Sequence, residues 1–473
     1  MKESEEVTAV LDDRSRAWLR NRLAGPDPDV TGLEALVIGM GISGRAAAEL
    51  LRTRGARVIG YDRDARVVDA LRPEWEPRGV RFQTGELEPG SDIDFCVISP
   101  GVPPFGRFFD WLKEENLPLL GELEWACRYL HRPIAAVSGT NGKTTVVHMI
   151  DHVLRLSGRG GDLVGNVGAA VSDLVLHGEC RRAQPVVMEV SSFQCETMDE
   201  FKPAVAVITN LAPDHLDRYP DVEAYYRVKF QLANRLAPNE ALWLGPGVEG
   251  FCPCGVVSRT PRFGFRDEGT EGLFFLHDKI IYRLGTEEGM LPCPTLEHQL
   301  PQQVLNALAA AGACHDLGVP LCEAFQALES FPPLPHRLQW VHEVKGVSCY
   351  NDSKATNIHA MEAALRSLPA PIRLIAGGRP KGESLEPVRA LIQEKVVAVY
   401  LIGEAAATFA EAWQPLTRVA RFDTLEAAVH RALSDGIAGE SLLLSPGCAS
   451  WDMFRNYTER GERFTRAVKE FQP

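Results

Sequence analysis

The stretch from Ile134 to Leu156 constrains this chain more than any other, because it joins a buried strand, a glycine turn and an amphipathic helix. IAAVS is a short apolar run, GTNGKTT is a loop, and TVVHMIDHVLRL has apolar residues at helical spacing. Strand, glycine-rich loop and helix in this order form the phosphate-binding motif of α/β nucleotide enzymes. We therefore predict an α/β fold with a nucleotide site at this loop.

The loop carries the residue types that bind a nucleoside triphosphate and its Mg²⁺. Glycines let backbone N–H groups approach phosphate oxygens at a helix N-terminus, where the helix dipole favours an anion. Lys143 would place its charge on the β- and γ-phosphates, and Thr144 would offer a hydroxyl to Mg²⁺. An ordinary glycine turn before a helix is the alternative, and it leaves the Lys-Thr-Thr run unexplained. The predicted ATP-binding residues of this loop are Gly139, Thr140, Asn141, Gly142, Lys143, Thr144 and Thr145.

Two further apolar runs of the same unit lead into residues suited to a metal and a substrate. Glu189 is the one charged residue in VVMEVSS, where a carboxylate is costly unless it meets a cation. The next predicted strand leads into TNLAPDHLDRYP, which places Asn210, Asp214, His215 and Asp217 in one loop. Because ligands gather at the carboxyl ends of parallel strands, we expect these side chains beside the phosphate loop. Taken alone, a solvent-facing glutamate and a polar turn are the alternative interpretations.

A second glycine pattern, GMGISG at 39–44, lies between a predicted strand and a helix, and Asp62 ends the following strand. This is the dinucleotide fingerprint, which by itself would indicate NAD. A uridine diphosphate group offers the same pyrophosphate to such a turn, and an NAD-dependent dehydrogenase has no use for a phosphate-loop lysine. The pattern predicts a site for a nucleotide diphosphate and leaves a dehydrogenase as the alternative.

Strands and helices alternate in three blocks, which predicts an α/β protein of three domains with parallel sheets. Pauses in the pattern at 128–133 and 332–337 suggest the boundaries, and residues 245–300 predict a small antiparallel excursion. The predicted parts are an N-terminal extension (1–32), a Rossmann-like domain (33–131), a central P-loop ATPase-like domain (132–334) and a C-terminal doubly wound Rossmann-like domain (335–473).

Charge and hydropathy exclude several classes of protein. The formal net charge of −13 argues against a nucleic-acid partner, which needs a basic surface. No apolar run reaches the roughly 18 residues of a membrane span. The charged N-terminus lacks the apolar core of a signal peptide, so we expect a cytoplasmic monomer without membrane insertion. Cys252 and Cys254 are the one close pair among 11 cysteines. Because no second Cys or His pair lies nearby, this pair does not indicate a metal site.

The C-terminal block adds four polar loops, each beside a predicted strand. They are PHR (335–337), NDSKATN (351–357), GGRPKGE (377–383) and LSPGCASWDMF (444–454). Together Arg337, Lys354 and Lys381 would suit a carboxylate-bearing substrate and a nucleotide tail. Each charge taken alone could equally be solvated.

GTNGKTT, EVSSFQ, TNLAPDHLDRYP, YYRVKF, PHR, NDSKATN and LSPGCASWDMF, in this order, resemble the Mur ligase family over about residues 33–472. In that family the loop reads G-[ST]-N-G-K-[ST]-T, which accounts for Val137 where a Walker loop has glycine. The resemblance implies a ligase that transfers the ATP γ-phosphoryl group to a carboxylate and then lets an amine displace the phosphate. NDSKATN and LSPGCASWDMF point to the branch that adds D-glutamate to UDP-N-acetylmuramoyl-L-alanine in peptidoglycan precursor synthesis.

The resemblance also implies roles for single residues. The catalytic and metal-binding residues would be Lys143, Thr144, Glu189, His215 and Lys229, with two Mg²⁺ ions and with Lys229 as a carbamate. The further ATP contacts would be Asn306, Arg337 and Asp352. The contacts to the UDP-linked substrate would be Ile42, Ser43, Asp62, Asn166, Ser191 and Gln194. The D-glutamate contacts would be Lys354, Thr356, Lys381, Ser450 and Tyr457.

Three features depart from the usual family pattern. Gln302 and Gln303 replace a His-Asn pair before the alanine-rich helix, although Gln303 could still hydrogen-bond adenine. An arginine and an aspartate follow Asp62 in place of the usual hydroxyl and basic contacts, and Arg63 or Arg66 could substitute for them. Residues 1–32 are longer than the usual start.

A ligase for another amino acid and an inactive nucleotide-binding regulator remain alternatives.

Overall fold

The computed structural model describes residues 19–88, 92–177, 184–216, 218–256, 258–297 and 299–472. Within these ranges the strands form three separate sheets of five, nine and six strands. The predicted three-part α/β fold is confirmed. The sheets lie within 34–121, 134–292 and 339–444, and the boundaries at 132 and 335 stay predictions. Residues 1–18 of the predicted extension lie outside the described ranges, and so does Asp217 of the predicted polar loop.

The first sheet is parallel throughout and carries the glycine turn at 39–44. Its elements are β1 (Glu34–Ile38), α1 (Ile42–Thr53), β2 (Arg57–Tyr61), α2 (Ala65–Trp75), β3 (Val80–Gln83), β4 (Phe95–Ile98), α3 (Arg107–Glu114), β5 (Leu119–Gly121) and α4 (Glu122–Cys127), with strand order β3-β2-β1-β4-β5. Gly39 has a φ of 88°, and a Cβ on Gly44 would lie 1.8 Å from the carbonyl oxygen of Gly39. Only glycine fits this close approach of helix and turn.

The described part of the predicted N-terminal extension packs on the first domain. Leu19, Leu23 and Val30 are 3%, 2% and 0% exposed and belong to the same apolar cluster as the first sheet. The Arg128 guanidinium donates a hydrogen bond to the carbonyl oxygen of Leu23. These residues are thus part of a folded core, although the sequence pattern suggested an appendage.

The central sheet carries the phosphate loop on one of its interior strands. Its elements are β6 (Ile134–Ser138), α5 (Lys143–Leu156), β7 (Asp162–Gly165), α6 (Val171–His177), β8 (Val186–Glu189), α7 (Ser192–Cys195), β9 (Val205–Ile208), α8 (Val222–Lys229), β10 (Ala241–Leu244), β11 (Arg262–Gly264), β12 (Gly272–Leu276), β13 (Lys279–Leu284), β14 (Glu287–Pro292), α9 (Pro301–Asp316) and α10 (Leu321–Glu329). The strand order is β14-β13-β12-β11-β10-β9-β6-β8-β7. Strands β12 to β14 pair antiparallel, as the sequence predicted for 245–300.

The C-terminal sheet presents three of the four polar loops at the carboxyl ends of its strands. Its elements are β15 (Gln339–Val344), β16 (Val347–Asn351), α11 (Ile358–Ser367), β17 (Ile372–Gly377), α12 (Glu386–Lys395), β18 (Val396–Ile402), α13 (Ala406–Trp413), β19 (Arg418–Arg421), α14 (Leu425–Ser434), β20 (Ser441–Leu444) and α15 (Tyr457–Lys469), with strand order β15-β16-β20-β17-β18-β19. Strands β16 to β20 match the five predicted strands. The antiparallel edge strand β15 was not predicted.

Apolar packing divides the molecule unequally. One buried cluster contains residues of both the first and the central sheet, whereas the C-terminal sheet has its own two clusters. The C-terminal domain therefore meets the rest of the protein mainly through polar contacts, and these lie at the phosphate loop.

Among the described residues, no helix is long and apolar enough to cross a membrane.

Candidate active site

The phosphate loop follows β6 and is held by the segment after β9. The backbone N–H of Thr140 donates to the carbonyl oxygen of Asn210 at 2.9 Å, and that of Asn141 donates to Asn210 Oδ1 at 3.0 Å. The Thr209 hydroxyl donates to the carbonyl oxygen of Asn141 at 2.6 Å. Gly142, with a φ of 87°, turns the chain into α5. The loop is thus a preformed cradle at a helix N-terminus, where an anion binds favourably.

Two lysines meet at the carbonyl oxygen of Gly139. Lys143 Nζ donates to this oxygen at 2.9 Å and to that of Thr140 at 2.8 Å. Lys229 Nζ, from the end of α8, donates to the same Gly139 oxygen at 3.1 Å and lies 4.2 Å from the centre of the Tyr225 ring. Lys229 is 1% exposed. Burial, and then the neighbouring Lys143 charge, lowers the pKa of Lys229 from 10.5 to about 7.

Glu189 ends β8 beside these lysines and is 2% exposed. Asn166 Nδ2 donates to Glu189 Oε1 at 2.7 Å. The other oxygen, Oε2, is buried and has no hydrogen-bond partner among the described residues. Burial alone would raise the pKa of Glu189, but the Lys143 charge and the interactions with the side chains of Thr144 and Asn166 outweigh it and lower the pKa. An ionised carboxylate with an unpaired buried oxygen at a phosphate loop has the chemistry of a Mg²⁺ ligand.

Within the part of the chain that the structure describes, no group of three or more His, Cys, Asp and Glu side chains is arranged to hold a metal ion. Mg²⁺ in nucleotide enzymes takes one or two carboxylates, and the substrate phosphates and water complete its octahedron. Glu189 together with the Thr144 hydroxyl fits this pattern.

Asp214 joins the central domain to the C-terminal domain. It is 5% exposed. Asp214 Oδ1 accepts a hydrogen bond from Lys381 Nζ at 2.9 Å, and Oδ2 accepts one from Asn357 Nδ2 at 3.1 Å. The next residue, His215, has a φ of 55°, and its Nε2 lies 3.8 Å from Asp214 Oδ2. Burial would raise the pKa of Asp214, but the charges of Lys381 and His215 lower it, so Asp214 stays ionised.

The phosphate loop itself touches the C-terminal domain. Asn141 Nδ2 lies 2.9 Å from His359 Nδ1, and Asn357 Nδ2 donates to Asn141 Oδ1 at 3.3 Å. Asn357 also begins α11, because its side chain accepts the backbone N–H of Ala360 at 2.8 Å. Neither Asn357 nor His359 was singled out from the sequence. Asn357 is the last residue of the NDSKATN motif, whereas His359 lies outside every motif of the sequence.

A cleft of about 470 Å³ lies between the same two domains, a size suited to a nucleotide. Its lining includes six of the predicted ATP contacts, which are Asn141, Gly142, Thr145, Asn306, Arg337 and Asp352. Its apolar wall includes Leu296, Phe325, Leu328 and Phe331. Gln302 and Gln303 also line the cleft, and Gln302 Nε2 donates to Asn306 Oδ1 at 3.4 Å. The amides that replace the His-Asn pair therefore lie in this cleft.

The turn that carries Arg337 has an uncommon backbone. His336 and Leu338, on either side of it, have φ values of 62° and 45°. The N–H of Leu338 donates to Asp352 Oδ1 at 3.0 Å, and the Ser445 hydroxyl donates to Asp352 Oδ2 at 3.0 Å. Burial lowers the pKa of Arg337 and raises that of Asp352 to about 7. Non-glycine residues in this conformation persist only where the surroundings hold them, and they cluster at functional sites.

The predicted D-glutamate contacts belong to the C-terminal domain. Lys354 Nζ lies 3.8 Å from the centre of the Tyr457 ring, and burial lowers the pKa of Lys354 to about 8. The N–H of Thr356 donates to the carbonyl oxygen of Lys354 at 2.8 Å. Ser450 is 2% exposed. The charge of Lys354 also lowers the pKa of Glu189, so the Lys354 side chain lies close to Glu189 and the phosphate loop.

The predicted uridine diphosphate contacts lie on the first sheet, apart from this cluster. Asp62 Oδ2 accepts the N–H of Met40 at 2.9 Å, inside the glycine turn. Ile42 is 71% exposed at the start of α1. Arg66, a candidate substitute for the usual basic contact, pairs with Asp64 at 2.8 Å. The turn has the geometry for a diphosphate at the surface of the first domain.

Ser191 and Gln194 lie where the first and central sheets meet. The N–H of Ser191 donates to Gln194 Oε1 at 2.9 Å, and the Ser191 hydroxyl accepts the N–H of Gln194 at 3.3 Å, which forms a capping box. Gln194 also borders a narrow crevice with Ser99 and Gly121 of the first domain. To bind a substrate, Ser191 and Gln194 would have to replace part of the hydrogen bonding between them with hydrogen bonds to the substrate.

Comparison with known proteins gives consistent matches. The family model of the Mur ligase middle domain matches residues 137–244, and that of the Mur ligase glutamate ligase domain matches residues 336–448. UDP-N-acetylmuramoylalanine–D-glutamate ligase of Chlorobium limicola is 36% identical over 94% of this chain and 100% of its own length. The protein of the same name from Nitratidesulfovibrio vulgaris is 37% identical over 92% of this chain and 96% of its own.

Solved structures share the fold at low identity. A pseudomurein peptide ligase type C from Methanothermus fervidus is 17% identical, with a TM-score of 0.55 over 93% of this chain and 100% of its own. A murein peptide ligase from Psychrobacter arcticus is 15% identical, with a TM-score of 0.52 over the same shares.

Proposed function

The chain belongs to the Mur ligase family, and we propose that it joins D-glutamate to UDP-N-acetylmuramoyl-L-alanine at the expense of ATP. The cluster of half-buried Lys143 with buried Glu189 and Lys229 around the phosphate loop carries this proposal. Such a cluster suits phosphoryl transfer, where catalysis is mainly positioning and charge neutralisation. An NAD-dependent dehydrogenase would have no use for it. The reaction would take place in the cytoplasm, where ATP is available, and a monomeric state stays a prediction.

Phosphoryl transfer would be carried out in the cleft between the central and C-terminal domains. Lys143 would leave the carbonyl oxygens of its own loop and bind the β- and γ-phosphates. Arg337, whose turn already faces the cleft, would neutralise charge on the transferred group. Glu189 and Thr144 would hold one Mg²⁺ and His215 would help hold a second. Bound there, the ions supply charge neutralisation to the transferring phosphoryl group.

We propose that Lys229 carries CO₂ as a carbamate. CO₂ reacts with a neutral amine and releases one proton, and a buried lysine with a pKa of about 7 is largely neutral at physiological pH. The product keeps one N–H and adds two carboxylate oxygens to the side chain. These oxygens would be compatible with the nearby Lys143 and with a metal ion, whereas an ammonium cannot ligate Mg²⁺.

The product of phosphoryl transfer would be an acyl phosphate on the alanine carboxylate of the substrate. A carboxylate has no adequate leaving group, and phosphate supplies one. The amine of D-glutamate would then attack the carbonyl carbon, and phosphate would leave. The groups proposed to hold D-glutamate are Lys354, Thr356, Lys381, Ser450 and Tyr457.

Phosphate release from ATP tests this function. We expect release that requires both UDP-N-acetylmuramoyl-L-alanine and D-glutamate, with L-glutamate and other amino acids as controls. Release with a different amino acid would keep the ligase and refute the D-glutamate assignment. No release with any combination would refute the ligase function and favour a nucleotide-binding regulator. A titration with NAD, expected to show no binding, tests the dehydrogenase alternative.

A further inference from the structure

Glu383 lies in the GGRPKGE loop after β17 and has no part in the roles assigned above. Its Oε2 accepts the backbone N–H of Ile358, the first residue of α11, at 2.7 Å. Its Oε1 is buried and has no hydrogen-bond partner among the described residues. A buried oxygen without a partner costs free energy, and each such group in a folded protein calls for an explanation, of which a catalytic role is one. Glu383 therefore offers an acceptor that the described protein atoms leave unused.

The position of Glu383 places this acceptor at the interface between the central and C-terminal domains. Asn357, which precedes the residue that Glu383 binds, donates to Asp214 at 3.1 Å and to Asn141 of the phosphate loop at 3.3 Å. Lys381, two residues before Glu383, forms the ion pair with Asp214. The loop thus presents a cation for a substrate carboxylate and an unpaired carboxylate oxygen close to each other.

The proposed reaction needs such an acceptor. Free D-glutamate carries an ammonium group at neutral pH, and an ammonium nitrogen has no electron pair with which to attack a carbonyl carbon. Asp214, a second acidic residue of this interface that lies beside Lys381, is a poor candidate. Both of its oxygens already accept hydrogen bonds, and the charges of Lys381 and His215 lower its pKa.

We propose that Glu383 accepts the proton that the ammonium group of D-glutamate must lose before its nitrogen attacks the acyl phosphate. This inference rests on the proposed function. One ammonium proton passes to Glu383, and the nitrogen electron pair forms the C–N bond. The C–O bond to phosphate breaks, its electron pair leaves on the phosphate oxygen, and the second nitrogen proton leaves with the phosphate. Glu383 then returns its proton to solvent.

The electrostatic surroundings suit this role. Burial raises the pKa of Glu383 from 4.5 to about 7, the Ile358 N–H lowers it, Asp214 raises it and Lys381 lowers it. Tyr225 of α8 and Cys448, after β20, are the further titratable groups coupled to it. A proton acceptor works best when its pKa lies near the working pH, and such catalysis typically contributes 10²- to 10⁴-fold, so we expect about 10²-fold here.

Glu383→Gln separates this role from a structural one. Glutamine keeps an oxygen that can accept the Ile358 N–H, so the start of α11 is preserved, but it cannot accept a proton. Hydroxylamine also attacks acyl phosphates and is uncharged at neutral pH, so its reaction needs no proton acceptor. Phosphate release is measured for wild type and variant with D-glutamate and, separately, with hydroxylamine. Glu386→Gln, at an exposed position in the same segment, is the matched control.

We expect Glu383→Gln to lower kcat/KM for D-glutamate about 10²-fold, and the ratio of the D-glutamate rate to the hydroxylamine rate at least about tenfold. The acidic limb of the pH profile with D-glutamate, expected near pH 7 in wild type, should disappear in the variant. An equal loss with both nucleophiles would overturn the proposal in favour of a structural role. An unchanged D-glutamate rate would overturn it as well. Wild-type hydroxamate formation tests the acyl phosphate itself, so failure of the proposed function would be visible before any variant is compared.

Discussion

Replacing Lys229 by methionine should make the protein more stable and, at the same time, less active. Lys229 is 1% exposed, and its pKa falls from 10.5 to about 7 in the folded protein. An unfolded chain leaves this lysine in water and keeps it protonated up to about pH 10.5. Unfolding therefore takes up a proton at neutral pH, and this proton uptake favours the unfolded state. Methionine has a similar length and no charge to bury.

The size of the effect follows from the pKa difference between the folded and unfolded states. Below about pH 7 the full difference opposes folding, which corresponds to about 5 kcal/mol. The cost declines by about 1.4 kcal/mol per pH unit above that and vanishes near pH 10.5, where the lysine is neutral in both states. Methionine loses the hydrogen bond to Gly139 and the contact with Tyr225, each worth about 1 kcal/mol. A net gain of about 3 kcal/mol near pH 7 would raise Tm by about 6–12 °C.

Thermal unfolding in CO₂-depleted buffer at about pH 7, 8 and 9 measures this difference, with Lys202→Met at an exposed position as the control. We expect the Tm advantage of Lys229→Met to shrink as the pH rises, while Lys202→Met shows no such trend. The same variant should lose most of its D-glutamate-dependent phosphate release, because it cannot form a carbamate. A Tm below that of wild type near pH 7, or a difference independent of pH, would refute the reasoning.

Three other variants test the site and its scaffold. Lys143→Ala should abolish D-glutamate-dependent phosphate release, because the γ-phosphate loses its point charge, and wild-type turnover would contradict the phosphate-loop assignment. Gly44→Ala should lower the Tm measured by thermal unfolding, because the added Cβ would lie 1.8 Å from the carbonyl oxygen of Gly39. Gly41→Ala, whose Cβ would meet open space, is the control. Equal Tm values for the two variants would contradict the packing argument. Lys229→Ala should regain part of its phosphate release with a short carboxylate such as formate, and a variant that is fully active without it would argue against the carbamate.

The sequence was most informative where the backbone decides the outcome locally. The turn at Gly39–Gly44 and the loop at Gly139–Gly142 depend on positive φ values and close backbone approach, which glycine alone permits without strain. The strands were recognisable because a parallel sheet covered on both faces needs continuous apolar runs. No pattern in residues 19–32 indicated that they pack on the first domain. Their polar composition hides three buried side chains, Leu19, Leu23 and Val30.

The sequence by itself determined the three α/β units, the phosphate loop and the residue types available for phosphoryl transfer. The tertiary structure decided which of those residues meet. Asn141 and His359 are 218 positions apart, and Lys381 and Asp214 are 167 apart, yet each pair is in contact across the domain interface. No local pattern encodes such contacts, because they depend on how whole sheets pack. The unpaired oxygens of Glu189 and Glu383 emerged for the same reason, since burial and the lack of a partner are properties of the folded surroundings.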